Sequence, residues 1–208
     1  KRQQEEERGK NKEQNEQQQK ENFKIEQVIY LLKNCITKNF LFEPNNEFKG
    51  IINHLKSNLQ NIYADINITS SSVFINNEQY SPRNSILFDN PNAEFATQSE
   101  ENAWLCFNFK KHRIILKNYT IRSYKGDPNW HHPRSWVIEV SNDEKQWEII
   151  DEEKDCSYLN GKNLVHTFNI SNPTNQEYQF VRMRIADRNW QNDYLLNINC
   201  IEFYGSLL

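Results

Sequence analysis

From about residue 61 to its end, this 208-residue chain places apolar residues at every second position. That period constrains the fold more than any other feature, because alternation buries one face of a β-strand and cannot make a helix stripe. The runs are Ile66–Thr69, Trp104–Phe109, Ile114–Tyr124, Ser135–Val140, Trp147–Ile150, Leu164–Ile170, Tyr178–Ile185 and Leu195–Tyr204. They are rich in β-branched and aromatic residues, which suit a pleated, half-buried surface. Polar clusters separate them, including Lys110–Arg113, Ser141–Glu144 and Ser171–Asn175, and these read as turns. Eight short strands with no helix between them predict a mainly β protein, an antiparallel jelly-roll sandwich.

The first sixty residues differ. Residues 1–22 carry no apolar side chain, only 6 Gln, 6 Glu, 6 Lys or Arg, 3 Asn and 1 Gly, for zero net charge. Such a segment has nothing to bury against its ordering entropy, so it reads as a polar linker or frayed helix. Phe23, Ile25, Val28, Ile29, Leu32 and Ile36 then recur at helical spacing, predicting an amphipathic helix over about 22–38 whose apolar stripe is covered. Phe40-Leu41-Phe42 reads as an apolar link, and a second helix is expected over about 47–59. The organisation is therefore a linker at 1–22, a helical stalk at 23–60 and a sandwich at 61–208. The first residue is Lys1 rather than Met, so the chain reads as part of a longer protein.

Charge and cysteine usage narrow the function. The formal charge of -3 offers no basic face for nucleic acid, and mean hydropathy of -0.92 with no long apolar run excludes membrane insertion. Cys35, Cys106, Cys156 and Cys200 show neither zinc spacing nor a disulfide framework, so free thiols in a reducing, cytoplasmic setting are expected. Three glycosylation sequons, at Asn67, Asn118 and Asn169, are about what chance gives in so Asn-rich a chain. No phosphate-cradling glycine loop, nucleophile elbow or zinc-protease motif occurs, which argues against an enzyme and implies no cofactor.

Several segments carry a specific resemblance. Trp136-Val137-Ile138-Glu139 with Ser141-Asn142-Asp143 and Trp147 is similar to the W-V-I-E-x-S-N-D-x-x-x-W hairpin of F5/8 type C, or discoidin, domains. Ser70-Ser71-Ser72 with Ser81-Pro82-Arg83-Asn84 resembles their opening strand and first loop, and Ile201-Glu202-Phe203-Tyr204-Gly205 their closing I-E-F-x-G strand. Glu101 to Phe109 resembles another of their strands, and Gly50 to Ile52 looks most like the intracellular, BTB-linked versions. The resemblance covers about residues 47–208. It implies a galactose-binding-like jelly roll that binds rather than catalyses. Ala186-Asp187-Arg188 departs from the turn common in these relatives, so ligand preference does not carry over.

If the strands run up and down, the connections around 91–102, 126–134, 151–163 and 188–194 share one end. The resemblance makes that end the ligand-binding rim. Two of these loops hold Asn-Trp pairs, Asn129-Trp130 and Asn189-Trp190, beside His131, His132, Arg134, Asp187, Arg188, Asn192 and Asp193. Flat rings with amides, guanidinium groups and carboxylates suit a glycan or a protein segment. Either the loop tryptophans contact that ligand or they fold back to cap the core; Trp130 is expected as the contact and Trp190 as the cap. Trp104, Trp136 and Trp147 read as core. The adjacent histidines point oppositely on an extended chain and make a poor metal pair. Asp151 to Asp155 reads as a solvated charge run. The expected function is recognition by rim loops. The alternative is a structural building block of a large assembly, cytoskeletal or ciliary.

Overall fold

The computed structural model describes residues 17–26, 28, 37–58 and 61–208. Residues 17–26 are helical (α1), with Phe23, Ile25 and Val28 exposed by more than half. Residues 29–36 of the expected helix lie outside the described residues, and its expected end, Lys38, begins a strand instead.

Among the described residues, strands β1 (Lys38–Phe40), β11 (Cys200–Leu207), β5 (Ile114–Arg122) and β8 (Val165–Asn169) form one four-stranded sheet, in that order. The facing sheet runs β2 (Asn67–Ser70), β4 (Trp104–Asn108), β9 (Phe180–Ile185), β6 (Trp136–Ser141) and β7 (Glu148–Glu153). A two-stranded ribbon pairs β3 (Phe95–Ala96) with β10 (Asn197–Ile198). The antiparallel sandwich expected from the period is present. β1 falls at the start of the expected apolar link, and β3 lies where no strand period is visible.

The alternation fills the space between the sheets. On β4, Leu105 and Phe107 point inward while Trp104 and Asn108 stay half-exposed. Phe107 meets Phe203 edge-on at 5.1 Å, and Trp136 meets Phe168 at 5.2 Å, so each pair bridges the two sheets. Burying a side chain of this size contributes about 2–3 kcal/mol each. Trp136 is fully buried, but Trp104 and Trp147 are not core. They lie on the outer face, where the Arg182 guanidinium sits 3.9 Å from the Trp147 ring centre and 5.8 Å from that of Trp104. Glu139 holds Arg182 and Arg184 there, at 2.7 Å each. Burial pushes the Glu139 carboxyl up, but the two guanidinium groups outweigh it and leave it below its usual range.

The second helix, α2, spans Ile51–Asn58, shorter than the expected 47–59. Residues 39–58 pack with the sandwich in one compact unit, Asn39–Leu207. The joint is the buried carboxylate of Glu202 on β11. It accepts from the backbone N–H groups of Gly50 (3.2 Å), Ile52 (2.8 Å) and Asn53 (2.9 Å), and from its neighbour Phe203 (2.8 Å). The N–H groups at the start of a helix have no partner of their own, so a carboxyl oxygen placed there satisfies them. A side chain at position 50 would collide with the Phe203 carbonyl, which is why glycine stands there. Gly205, at φ 138°, forms a bulge against Ile115 that other residues adopt only with strain. The closing Glu and Gly of the I-E-F-x-G segment thus have structural roles.

Candidate binding cavity at the loop rim

The loops that the strand count places at one end do meet. Trp190 N–H donates to the His132 carbonyl (3.2 Å), Cys156 N–H to Arg134 (2.8 Å) and Asn163 N–H to Tyr124 (3.2 Å). Tyr194 N–H reaches Ser99 Oγ at 3.1 Å, joining the loop before β4. Beside this junction opens a cavity of about 410 Å³. Phe74, Tyr80, Tyr124 and Trp130 supply its rings, and Glu94, Lys125, His131 and Asn197 its polar side chains.

The cavity is built by backbone constraints. Two short 3₁₀ turns, Phe74–Asn76 and Glu78–Tyr80, carry two of the rings, with Phe74 edge-on to Tyr80 at 5.0 Å. Ile75 sits at φ 46°, uncommon for a β-branched residue, and leaves its side chain 64% exposed. Tyr124 folds back over Gly126, where any side chain would strike its ring. The Tyr124 hydroxyl accepts from His131 N–H at 3.2 Å. Burial, with Glu94, Asp193 and Asp127 nearby, pushes that hydroxyl up to about 12. His131 Nδ1 lies 2.8 Å from Asp193 Oδ2. Asn197, 3% exposed, donates through Nδ2 to Glu94 (2.8 Å), while its Oδ1 has no hydrogen-bond partner.

Of the residues expected at the rim, Trp130 and His131 line the cavity. Trp130 is 52% exposed, as a ligand contact requires, and Trp190 is half-buried. The Trp190 indole donates to the Cys156 carbonyl at 3.3 Å, and the Arg134 guanidinium lies 5.1 Å from its ring centre. Arg134 also binds Asp155 through Nε at 2.7 Å. Asn129 exchanges hydrogen bonds with Asn160, at 2.6 and 2.9 Å. Asp187, Arg188 and Asn192 are not among the cavity-lining residues; Asp187 caps the Arg188 N–H, and Arg188 donates to the Asn192 carbonyl.

Two candidates face inward and cannot meet a ligand. His132 is fully buried, with Nε2 3.1 Å from the carbonyls of Gly126 and Asp127 and its ring against Tyr124 at 4.5 Å. Burial holds its pKa below the usual histidine value. Asn189 is 1% exposed and organises its own loop. Asp151 also departs from the solvated charge run expected there, being buried and accepting from Tyr119 OH at 2.6 Å. Cys106, Cys156 and Cys200 are buried free thiols, whereas Cys35 lies outside the described residues.

The sequence reading missed Phe74, Tyr80, Glu94, Tyr124, Lys125 and Asn197. The signal for the first two was available: Phe74 and Tyr80 are rings in the polar segment after Ser72, as Trp130 is in its loop. The others depend on chain crossings that no local pattern reveals.

Among the described residues no group of three or more His, Cys, Asp or Glu could hold a metal ion, and no helix is long and apolar enough to cross a membrane. The chain resembles several solved structures. The family 32 CBM of NanJ from Clostridium perfringens, solved with galactose, is 16% identical, with a TM-score of 0.51 over 68% of this chain and 94% of that one. An F5/8 type C domain from Bacteroides fragilis is 14% identical, with a TM-score of 0.55 over 68% and 91%. A CBM from a family 31 glycoside hydrolase of Clostridium perfringens is 12% identical, with a TM-score of 0.53 over 68% and 92%. Comparison with curated proteins gives no match. The F5/8 type C domain model matches residues 67–199, nearly the whole sandwich, and the chain therefore belongs to the F5/8 type C domain family.

Proposed function

We propose that this chain is a non-catalytic recognition module that takes a sugar in the rim cavity. The observation that carries the reading is Trp130, half its surface open, in one cavity lining with three other rings and the polar side chains of Glu94, Lys125 and His131. An exposed tryptophan costs solvent-facing apolar area unless something covers it. A pyranose fits the arrangement: its C–H face lies on a ring while its hydroxyls reach Glu94 and His131 at the edge. The volume of about 410 Å³ suits one or two sugar units. The galactose in the NanJ module is support of the same kind, from a protein that shares the fold. Further parts of the reading are placement within a larger, BTB-linked protein and a reducing compartment, the latter supported by three buried free thiols.

The test is a sugar panel read by titration against wild type, Trp130→Ala and Trp190→Ala. Truncating a central aromatic anchor costs about 2 kcal/mol, roughly thirtyfold in affinity. Trp130→Ala should lose binding while melting almost unchanged. Trp190→Ala should lose stability while its folded fraction still binds. If no sugar binds wild type but a peptide does, in a Trp130-dependent way, the occupant is a protein segment and the sugar reading falls.

A further inference from the structure

The chemistry of the cavity lining goes beyond a generic sugar site. Glu94 and Asn197 stand together there, and both offer acceptors. Asn197 has spent Nδ2 on Glu94, and its Oδ1, on a side chain buried to 97%, has no partner. That oxygen is closed to solvent, so a ligand in the cavity reaches Glu94 and not the Asn197 carbonyl. Glu94 meets a neutral amide rather than a cation; no Lys, Arg or His pairs with it among the described residues. Around these two groups stand the rings of Phe74, Tyr80, Tyr124 and Trp130. Ring faces carry negative charge density and attract cations.

Two groups here could oppose a cation. Lys125 is exposed, so its charge is well solvated. His131 has its Nδ1 against Asp193, which offsets any charge it gains.

We propose that the sugar taken by this cavity carries a free, protonated amine, held by Glu94 within the ring set. The inference rests on the sugar reading above and names its class. An ammonium brings three donors and no acceptor, and a charge that both Glu94 and the rings favour. A hydroxyl could donate to Glu94 but would leave its charge uncompensated. An N-acetyl group would remove the charge.

The test titrates the full chain with glucosamine, glucose, N-acetylglucosamine and n-butylamine, buffered where the amines are protonated, with protein NMR shifts as readout. Glucosamine should bind about tenfold tighter than glucose and N-acetylglucosamine. Glu94→Gln, whose melting is checked first, should erase that preference, read as the ratio of glucosamine to glucose affinity in the same variant. Lys125→Gln, a surface change that leaves Glu94 and Asn197 in place, should strengthen glucosamine alone. Equal affinity for the three sugars, or a preference unaltered in both variants, overturns the amine and leaves the sugar reading standing. n-Butylamine binding as tightly as glucosamine overturns the sugar as carrier. No binding by any of the four overturns both.

Discussion

The two Asn-Trp pairs at the rim have the same dipeptide and opposite placements. In the 188–194 loop the asparagine turns inward. Asn189 donates to Asp193 Oδ1 (2.5 Å) and the Leu195 carbonyl (3.0 Å) and accepts from the N–H groups of Gln191 (3.0 Å) and Asp193 (3.2 Å). That pins the loop against the sandwich and folds Trp190 onto Cys156 and Arg134. In the 126–134 loop Asn129 turns outward at φ 67° and ties only to Asn160, so Trp130 stands free over the cavity. What a loop tryptophan does is decided by its neighbour's hydrogen bonds rather than by its own chemistry.

If the rim loops differ only in local hydrogen bonding, the largest single effect should lie outside both, at the seam of α2 and β11. Glu202 is buried and its carboxyl is pushed up to about 7, from an ordinary 4.5. Burial penalises ionisation, so the protonated form is favoured on folding. Its stability contribution is full below about pH 4.5, declines as pH rises through about 7 and is gone above it, a span of roughly 3 kcal/mol. Denaturant unfolding of wild type and Glu202→Gln across that range should give a difference that shrinks with rising pH. A difference that grows would show that helix N–H groups, not burial, dominate there.

Within the loops, Asn189→Ala should cost about 3 kcal/mol, since it strips four bonds from a buried site, and Asn129→Ala below about 1. Equal costs in denaturant melts would break the contrast. Gly126→Ala should cost about 1–2 kcal/mol, because the new methyl must displace the Tyr124 ring. Its second signature is reduced sugar affinity, since that ring walls the cavity. The smallest effect is Trp130→Ala, below about 0.5 kcal/mol in stability. A loss near 2 would make Trp130 a cap like Trp190.

Much of this was legible in the sequence where the signal is local. Alternation gave every strand longer than three residues, and strand parity gathered the four rim loops, since antiparallel connections must alternate between ends. Trp190 is more buried than Trp130, as expected, but it lies on Cys156 and Arg134 rather than on the closing strand whose closeness in sequence motivated that expectation. The failures have physical causes. β3 has two residues, too few to show a period, and exists by pairing with β10 a hundred residues on. Trp104 and Trp147 look like core residues, yet a strand has two faces, and Arg182, held by Glu139, makes the outer one hospitable to rings. Glu94 and Asn197 met in no sequence window; the β3–β10 ribbon brings them together.

The central claim, that the cavity beside Trp130 is where this module recognises its ligand, is tested most directly by the five tryptophan indole N–H signals. In a titration with galactose and glucosamine, the Trp130 signal should move and saturate, while those of Trp104, Trp136, Trp147 and Trp190 hold their positions. Shifts confined to Trp104 and Trp147 would place recognition on the outer sheet face, and a Trp130 signal unmoved by any bound sugar would contradict the account.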